Sequence, residues 1–509
     1  MCLQLISTFC SIIFVSLFII YWRVVRPGKY IYDTLRSQGI PCERFVPFIG
    51  QLPKLYRYRK QNQIMKFYEE LSEKHGLNFL FLLGPFPRFV VQDVELIAEI
   101  LDRTQAENYQ KPMDLSFRLK PLIGMHNLLI SNGNEHERAR KMLNPGFHFE
   151  NLRSMVSIMI NQTSKAIDLL LESCEKPINL QKEMSLLTLT VIASSAFGEN
   201  YETIANARKV VVEAFIAALD AIVNRTLLLI DQIPLFSRLP FWGKDIVDRG
   251  KEKASIFVDQ IITDRKKGRT KTMCKQEDIL DLLLQAVDSH GQHFTDDEIK
   301  QQVMALVLAG HQSTSDLMTW VLYILMTNPS VLRDCQEEID RVLPNGMIPT
   351  YEHLNELHIC ECVINETLRL YPSLPFFVRQ STRDHVIKTS NYELHIPVDA
   401  TILINTYLIH RQEKYWPRPL EFDYTRWKRD PITGLKPKLT HPYCYLPFAA
   451  GTRNCIGQNF ALLEAKVILA IFVQRCQFEL EPKNQNIVAD IRITMRPKFG
   501  LFSKINRRQ

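Results

Sequence analysis

The feature that most constrains this chain is a stretch of about thirty residues beyond its midpoint, long enough to form a rod of about 45 Å if helical. Thr295-Asp-Asp-Glu298 is a capping box, with the Thr295 hydroxyl positioned for the N3 backbone N–H and the Glu298 carboxylate reaching back to the N-cap. Apolar residues then run on to Met326, and Asn328-Pro329 ends the helix, since the residue before a proline is pushed out of the helical region. A helix so long, and apolar on most sides, must cross the middle of a large body. The fold class expected is therefore mainly α.

Helical periodicity is also expected through 135–143, 152–172, 183–197, 205–222 and 244–266, near 353–370 as far as Tyr371-Pro372, and over Gln458–Arg475. Two strand-like runs, Phe79–Leu83 and Arg88–Val91, flank Gly84-Pro85 as a hairpin, and a further small sheet is expected around 385–404. The 509 residues would suggest three or four domains at ~150 residues each. No Ser/Gly-rich or Pro-rich spacer divides them, however, and there is no fixed-period repeat. One catalytic domain over 56–509 is the simpler reading.

The N-terminus is a separate matter. Met1 to Trp22 carries no charged side chain and is long enough to span a bilayer as a helix. Arg23, Arg26 and Lys29 follow at once, which by the positive-inside rule leaves the body in the cytoplasm. Residues 1–25 are thus expected to be a single-pass transmembrane signal anchor; Tyr21-Trp22-Arg23 offers no cleavage site for a signal peptide. Residues 26–55, with Pro27, Pro41, Pro47 and Pro53, read as a proline-containing linker. The eleven cysteines are odd in number and scattered, which fits a reducing compartment; Cys360 and Cys362 read as buried filler, and the sequons at Asn161 and Asn224 as silent. The net charge of +7 favours anionic membrane surfaces or an acidic partner, while the dispersed basic residues give no footprint for nucleic acid. The apolar segment Leu227–Trp242 either dips into the membrane and admits lipophilic substrates or packs as a loop on the body.

The chemistry gathers around Pro447-Phe-Ala-Ala-Gly-Thr-Arg-Asn-Cys455-Ile-Gly457, a cysteine in a Gly-flanked loop that opens directly onto a helix. Glycines let backbone approach a ligand closely, and a helix N-terminus with Arg453 nearby favours thiolate over thiol. The pattern Phe448-x-x-Gly451-x-Arg453-x-Cys455-x-Gly457 resembles the haem-binding signature of the cytochrome P450 superfamily. The resemblance extends over essentially the whole chain. It implies a helical prism with small β-sheets, a haem b cofactor, Cys455 as the axial metal ligand, and Arg453 beside a haem propionate. A thiolate opposite the oxygen site pushes electron density onto iron and favours O–O cleavage.

Three further stretches carry the resemblance. Glu366-Thr-Leu-Arg369 puts an acid and a base three apart on one helix face; it resembles the family's Glu-x-x-Arg motif, and Phe422-Asp-Tyr-Thr-Arg426-Trp427 resembles the segment whose arginine completes that network. Glu366, Arg369 and Arg426 would form a buried structural triad. Asn134-Glu-His136-Glu-Arg-Ala-Arg140 resembles the family's Trp-x-x-x-Arg helix with His136 in place of Trp, and the resemblance assigns His136, Arg140 and, further on, Arg379 to the propionates. Ala309-Gly310-His311-Gln312-Ser313-Thr314 aligns with the stretch where small residues such as Gly310 open an oxygen groove and an acid followed by Thr relays protons. Here the chain departs: Gln312 stands for the acid and cannot ionise, Ser313 stands for the first Thr, and Thr314 lies ~100° further round the helix. His311 is expected to fill a core position. Covalently haem-linked branches carry Glu at the position of Ala309, so no covalent attachment is expected.

The function this implies is insertion of one atom of O₂ into a lipophilic substrate (a fatty acid, a sterol or a xenobiotic). Electrons would come from NADPH through a flavoprotein reductase docked on the Cys455 side, with cytochrome b5 as a second candidate donor, at the endoplasmic reticulum membrane. Gln312 and Ser313 keep open a rival, an electron-independent peroxide isomerase or dehydratase. A haem carrier or sensor without turnover is a third. Pocket residues are expected from 110–130, 205–242, 301–314 and 374–379.

Overall fold

The computed structural model describes residues 21–172, 177–198, 216–222, 243–269 and 277–508, with isolated positions at 14, 15, 18, 214 and 225. The anchor segment Met1–Trp22 lies almost wholly outside them, as do most of 205–222, the segment Leu227–Trp242 and the sequon at Asn224. Among the described residues, no helix is long and apolar enough to cross a membrane.

The central helix runs over Asp296–Thr327, and its capping box forms: Glu298 N donates to Thr295 Oγ1 at 3.2 Å, and Thr295 N to Glu298 Oε2 at 2.7 Å. Asn328 closes it, and Pro329 opens the next helix, Pro329–Val342, at a position where its missing N–H costs nothing. The central helix is buried on nearly every side, packed against Leu180–Phe197, Lys244–Lys266, His358–Leu370 and Gln458–Arg475 within one continuous hydrophobic core. Helices at Gly133–Leu143 and Phe149–Glu172 complete the expected set, and 216–222 is helical.

Asn78–Leu83 and Phe86–Val91 form the expected hairpin. It grows into a five-stranded mixed sheet: Thr401–Ile404 pairs parallel with Phe86–Val91, Phe377–Ser381 pairs antiparallel with Thr401–Ile404, and Tyr109–Gln110 lies at the far edge. Two small pairings were not anticipated from the sequence. Cys476–Leu480 joins Phe502–Arg507 and Ile178–Asn179, and Ala489–Ile491 folds back on Met495–Pro497 as a hairpin.

Two expectations are corrected. The helix expected near 353–370 is two helices, Tyr351–Glu356 and His358–Leu370, broken at Leu357. The buried Glu338 carboxylate, from the Pro329–Val342 helix, accepts from Ile359 N at 2.7 Å and Cys360 N at 2.9 Å, so it caps the second helix in trans. The stretch 26–55, expected to be rich in turns, is in part helical: Arg26–Ser37 is a helix with Tyr32 and Leu35 fully buried, and Leu52–Lys60 is a second. Gly28 lies so close to the strand turn that a Cβ there would stand 2.3 Å from the Pro85 carbonyl oxygen.

Candidate active site

The cysteine loop is pinned before it reaches Cys455. Gly451 adopts φ +74° and a Cβ there would meet the Leu101 carbonyl oxygen at 2.2 Å, so the glycine serves packing against protein backbone rather than the ligand approach expected of it. Ala449, at φ 55°, accepts a left-handed turn that costs a side chain strain. Cys455 N then donates to the Phe448 carbonyl at 2.9 Å, and the helix Gln458–Arg475 begins just beyond. Burial pushes the Cys455 thiol above its usual range; the Gly457 N–H and the Arg140 charge pull the other way without overcoming it.

Cys455 opens onto a cavity of about 340 Å³. Phe448, Gly310, Gln312, Ser313, Thr314, His136, Arg140, Arg379 and Arg453 all line the same cavity. Its walls come from the expected stretches (Leu119, Leu128, Leu219, Ala305, Leu374 and Phe377 among them) and from two that were not anticipated, Ile192 and the hairpin residues 492–494 and Arg496. The lining is mostly aliphatic and aromatic, with charge confined to two places.

The first is a group of cations. Arg453 donates to Ser131 O at 2.7 Å and Asn132 Oδ1 at 2.8 Å; Arg140 donates to Asn454 O and Oδ1 at 2.7 and 2.9 Å; Arg379 donates to Val378 O at 3.0 Å. Lys111, which the sequence did not single out, joins them at the cavity wall. Among the described residues no carboxylate pairs with any of the four. Burial pulls Arg379 and Arg453 down to about 10. Burial, then the charges of Arg379 and Arg453, take Lys111 to about 7, and burial with four neighbouring cations takes His136 to about 3. Arg379 is buried and Lys111, Arg140 and Arg453 are half-buried, all without an anion, which is an expensive state for a desolvated cation. A flat apolar group carrying two carboxylates would relieve it, and haem is such a group. The donor set fits.

The central helix forms the opposite wall. Ala309 and Gly310 leave its backbone open to the cavity, and Ser313 Oγ turns back onto the Ala309 carbonyl at 2.8 Å, while Thr314 Oγ1 reaches Gly310 O at 3.2 Å. Two carbonyls are drawn off sideways: His311 O accepts from Thr188 Oγ1 at 2.9 Å, and Ser313 O from Ser373 Oγ at 2.9 Å. His311 is fully buried with Nδ1 on Val307 O, in the core position expected of it.

Behind the cysteine loop lies the triad. Glu366 and Arg369 are both 0% exposed and paired through two bonds, 2.9 and 2.8 Å, and Arg426 Nε reaches Glu366 Oε1 at 3.3 Å. Trp427 Nε1 and Asp423 N complete the carboxylate's shell at 2.9 and 3.0 Å. Arg369 spends its remaining donors on the carbonyls of His410, Pro419 and Glu421. His410 passes the constraint onward: its Nε2 accepts from Leu446 N at 2.8 Å, immediately before the cysteine loop. Burial, with Arg411 and Arg369 beside it, keeps His410 neutral, down to about 3, so that acceptor is always available.

A cysteine at the floor of an apolar cavity, a cation cluster at its rim and a Glu-Arg lock behind it form the arrangement expected of a haem-thiolate protein. The family model described as "Cytochrome P450" matches residues 40–502. The chain belongs to the cytochrome P450 family. It is similar to cytochrome P450 4V2 of Homo sapiens, 30% identical with 95% of this chain and 92% of the relative covered, and to its Mus musculus counterpart, 31% identical over 94% and 92%. Cytochrome P450 3A41 of Mus musculus is 28% identical, covering 91% of this chain and 90% of its own. As a family member the protein is a monooxygenase-class oxidoreductase with haem b on an axial cysteine thiolate.

Proposed function

We propose that this protein inserts one oxygen atom from O₂ into a lipophilic substrate, with Cys455 as the axial ligand. The observation that carries this is the placement of Cys455 and four cations, buried or half-buried and without a carboxylate partner, around one apolar cavity. Haem, bound there, supplies the iron that activates oxygen. The protein's own part is to hold, orient and shield. Arg140, Arg379, Arg453 and Lys111 neutralise the propionates, and neutral His136 contributes a ring N–H. Glu366, Arg369 and Arg426 fix the cysteine loop through His410 and take no part in bond-making. Ala309 and Gly310 keep the groove open, and Ser313 would supply the hydroxyl through which a proton is delivered, beside Gln312 and Thr314. Leu128, Leu219, Leu374 and Phe377 exclude water and select an apolar substrate, in the class of fatty acids, sterols or xenobiotics.

Residues 1–25 would anchor the body to the endoplasmic reticulum membrane, cytosolic side, with 26–55 joining anchor to body and the catalytic domain following. Electrons would come from NADPH through a flavoprotein reductase, with cytochrome b5 as an auxiliary donor. Gln312, which cannot ionise, is the one observation that favours the rival peroxide isomerase. The test is the reduced protein with carbon monoxide, which should give the red-shifted Soret band of thiolate ligation; Cys455→Ala should abolish it. A band that survives in Cys455→Ala overturns the ligand assignment. NADPH consumption with a reductase supports the oxygenase, and turnover of a fatty hydroperoxide without it supports the isomerase.

A further inference from the structure

The second charged place in the cavity lies above the central helix. Gln312 lacks the acid's charge, but an acid stands one turn further on, four residues along the same face and ~6 Å away along the axis. Asp316 is 0% exposed in the middle of the helix, where the nearest other ionisable side chain on the same helix is His311. Gln312 Nε2 donates to both of its oxygens, each at 3.0 Å, and the Thr494 side chain, at the tip of the hairpin, hydrogen-bonds to the same carboxylate. Gln312 and Thr494 both line the cavity; Asp316 does not. The charged groups facing Asp316 from the packed elements are Arg496 on the hairpin and Asp220 on the 216–222 helix. These two are bound to each other at 2.8 and 2.9 Å, so their charges largely cancel toward it. At the other end of the Gln312 side chain, Oε1 is buried without a partner.

An amide and a carboxyl in contact have two complementary arrangements. An ionised Asp316 accepts only, so the Gln312 amino group turns toward it and Oε1 is left without a partner. A protonated Asp316 donates through its O–H, which Oε1 accepts, and the amino group is left for the cavity. We propose that Asp316 is the displaced acid of this helix, a positioning residue whose protonation state decides, through Gln312, whether the cavity is offered a hydrogen-bond donor or an acceptor on its oxygen-facing wall. The proton that changes the state is taken up from or returned to solvent at the Asp316 carboxyl, and no bond in Gln312 is made or broken. Burial raises that carboxyl to about 6, near enough to neutrality for both states to be reached. The proposal rests on the reading of this cavity as the haem site.

The test uses the full-length, haem-loaded protein in two readouts. In infrared difference spectra, the wild type should show a buried carboxylic acid carbonyl band that disappears as pH rises through about 6, and Asp316→Asn should lack it. Gln312→Ala should keep the band and raise its midpoint, because a donor to the ionised form is gone. With reductase, NADPH and dodecanoic acid as the probe, hydrogen peroxide released per NADPH should rise about fivefold to tenfold across the same midpoint, the worth of one hydrogen bond. Asp316→Asn and Gln312→Ala should both flatten that profile. A band that survives in Asp316→Asn, a midpoint unmoved in Gln312→Ala, or a peroxide inflection that persists in Asp316→Asn overturns the proposal. Should Asp316→Asn lose haem, Gln312→Ala carries both readouts with the acid intact. Absence of any NADPH turnover would defeat the oxygenase reading instead, and the infrared result would still decide this one.

Discussion

Two clusters of charge lie on either side of the cysteine loop, one buried and one half-buried, and they are paired in opposite ways. Around Glu366 every formal charge has a partner: Arg369 through two bonds, Arg426 through a third, with Trp427 and a backbone N–H filling the carboxylate's remaining lone pairs. Around the cavity rim, Lys111, Arg140, Arg379 and Arg453 meet only backbone and amide oxygens where they are bonded at all. A buried cluster in which every charge has a partner belongs to folding. One that leaves a surplus is built for something that arrives later.

The comparison can be broken by substitution. Arg369→Leu should be the most damaging change, because it strips the buried Glu366 of its two-bond partner and leaves only the longer Arg426 contact to balance its charge; a loss of about 3–5 kcal/mol is expected in denaturant unfolding, with little holoprotein recovered. Trp427→Phe removes one donor to the same carboxylate and should cost about 1–3 kcal/mol, with haem retained. Arg379→Leu should behave differently: in haem-free protein its stability should match or exceed the parent, since an unpaired buried charge is gone, while haem is lost more readily. Destabilisation of haem-free Arg379→Leu as large as that of Arg369→Leu would erase the distinction between the clusters.

The smallest expected effect is a slope with pH. Lys111 is held near 7 in the folded protein against a usual value of 10.5, so between those limits the unfolded chain binds the extra proton. Stability of the haem-free protein should therefore rise as pH goes from about 7 toward 10.5, level off above, and lose that slope in Lys111→Met. An unchanged slope in the variant would assign the titration elsewhere.

How much of this the sequence revealed depended on distance along the chain. Thr295 and Glu298 lie within one helical turn, so spacing placed them together; Glu366 with Arg369 and His136 with Arg140 are equally close in the chain, and the family resemblance singled them out. Lys111 is in no motif, and only the fold carries it to the rim. Trp427 and His410 act through single long-range hydrogen bonds that leave no periodic trace, and Glu338 caps a helix twenty residues away. The hairpin of Ala489–Ile491 and Met495–Pro497 has strands of three residues, too short for alternation to register, yet it supplies part of the cavity wall. Asp316 could be read as polar in an apolar helix; that it grips Gln312 required the coordinates.

The central claim is that the rim cluster is waiting for two carboxylates. The direct measurement is titration of haem-free protein with iron protoporphyrin IX and, separately, with its dimethyl ester, which has the same ring and no charge at the propionates. Charge-assisted bonds at about 1.5–3 kcal/mol each predict that the free acid binds at least about 10²-fold more tightly, and that Arg379→Leu narrows the gap. Equal affinity for the two porphyrins would contradict the account.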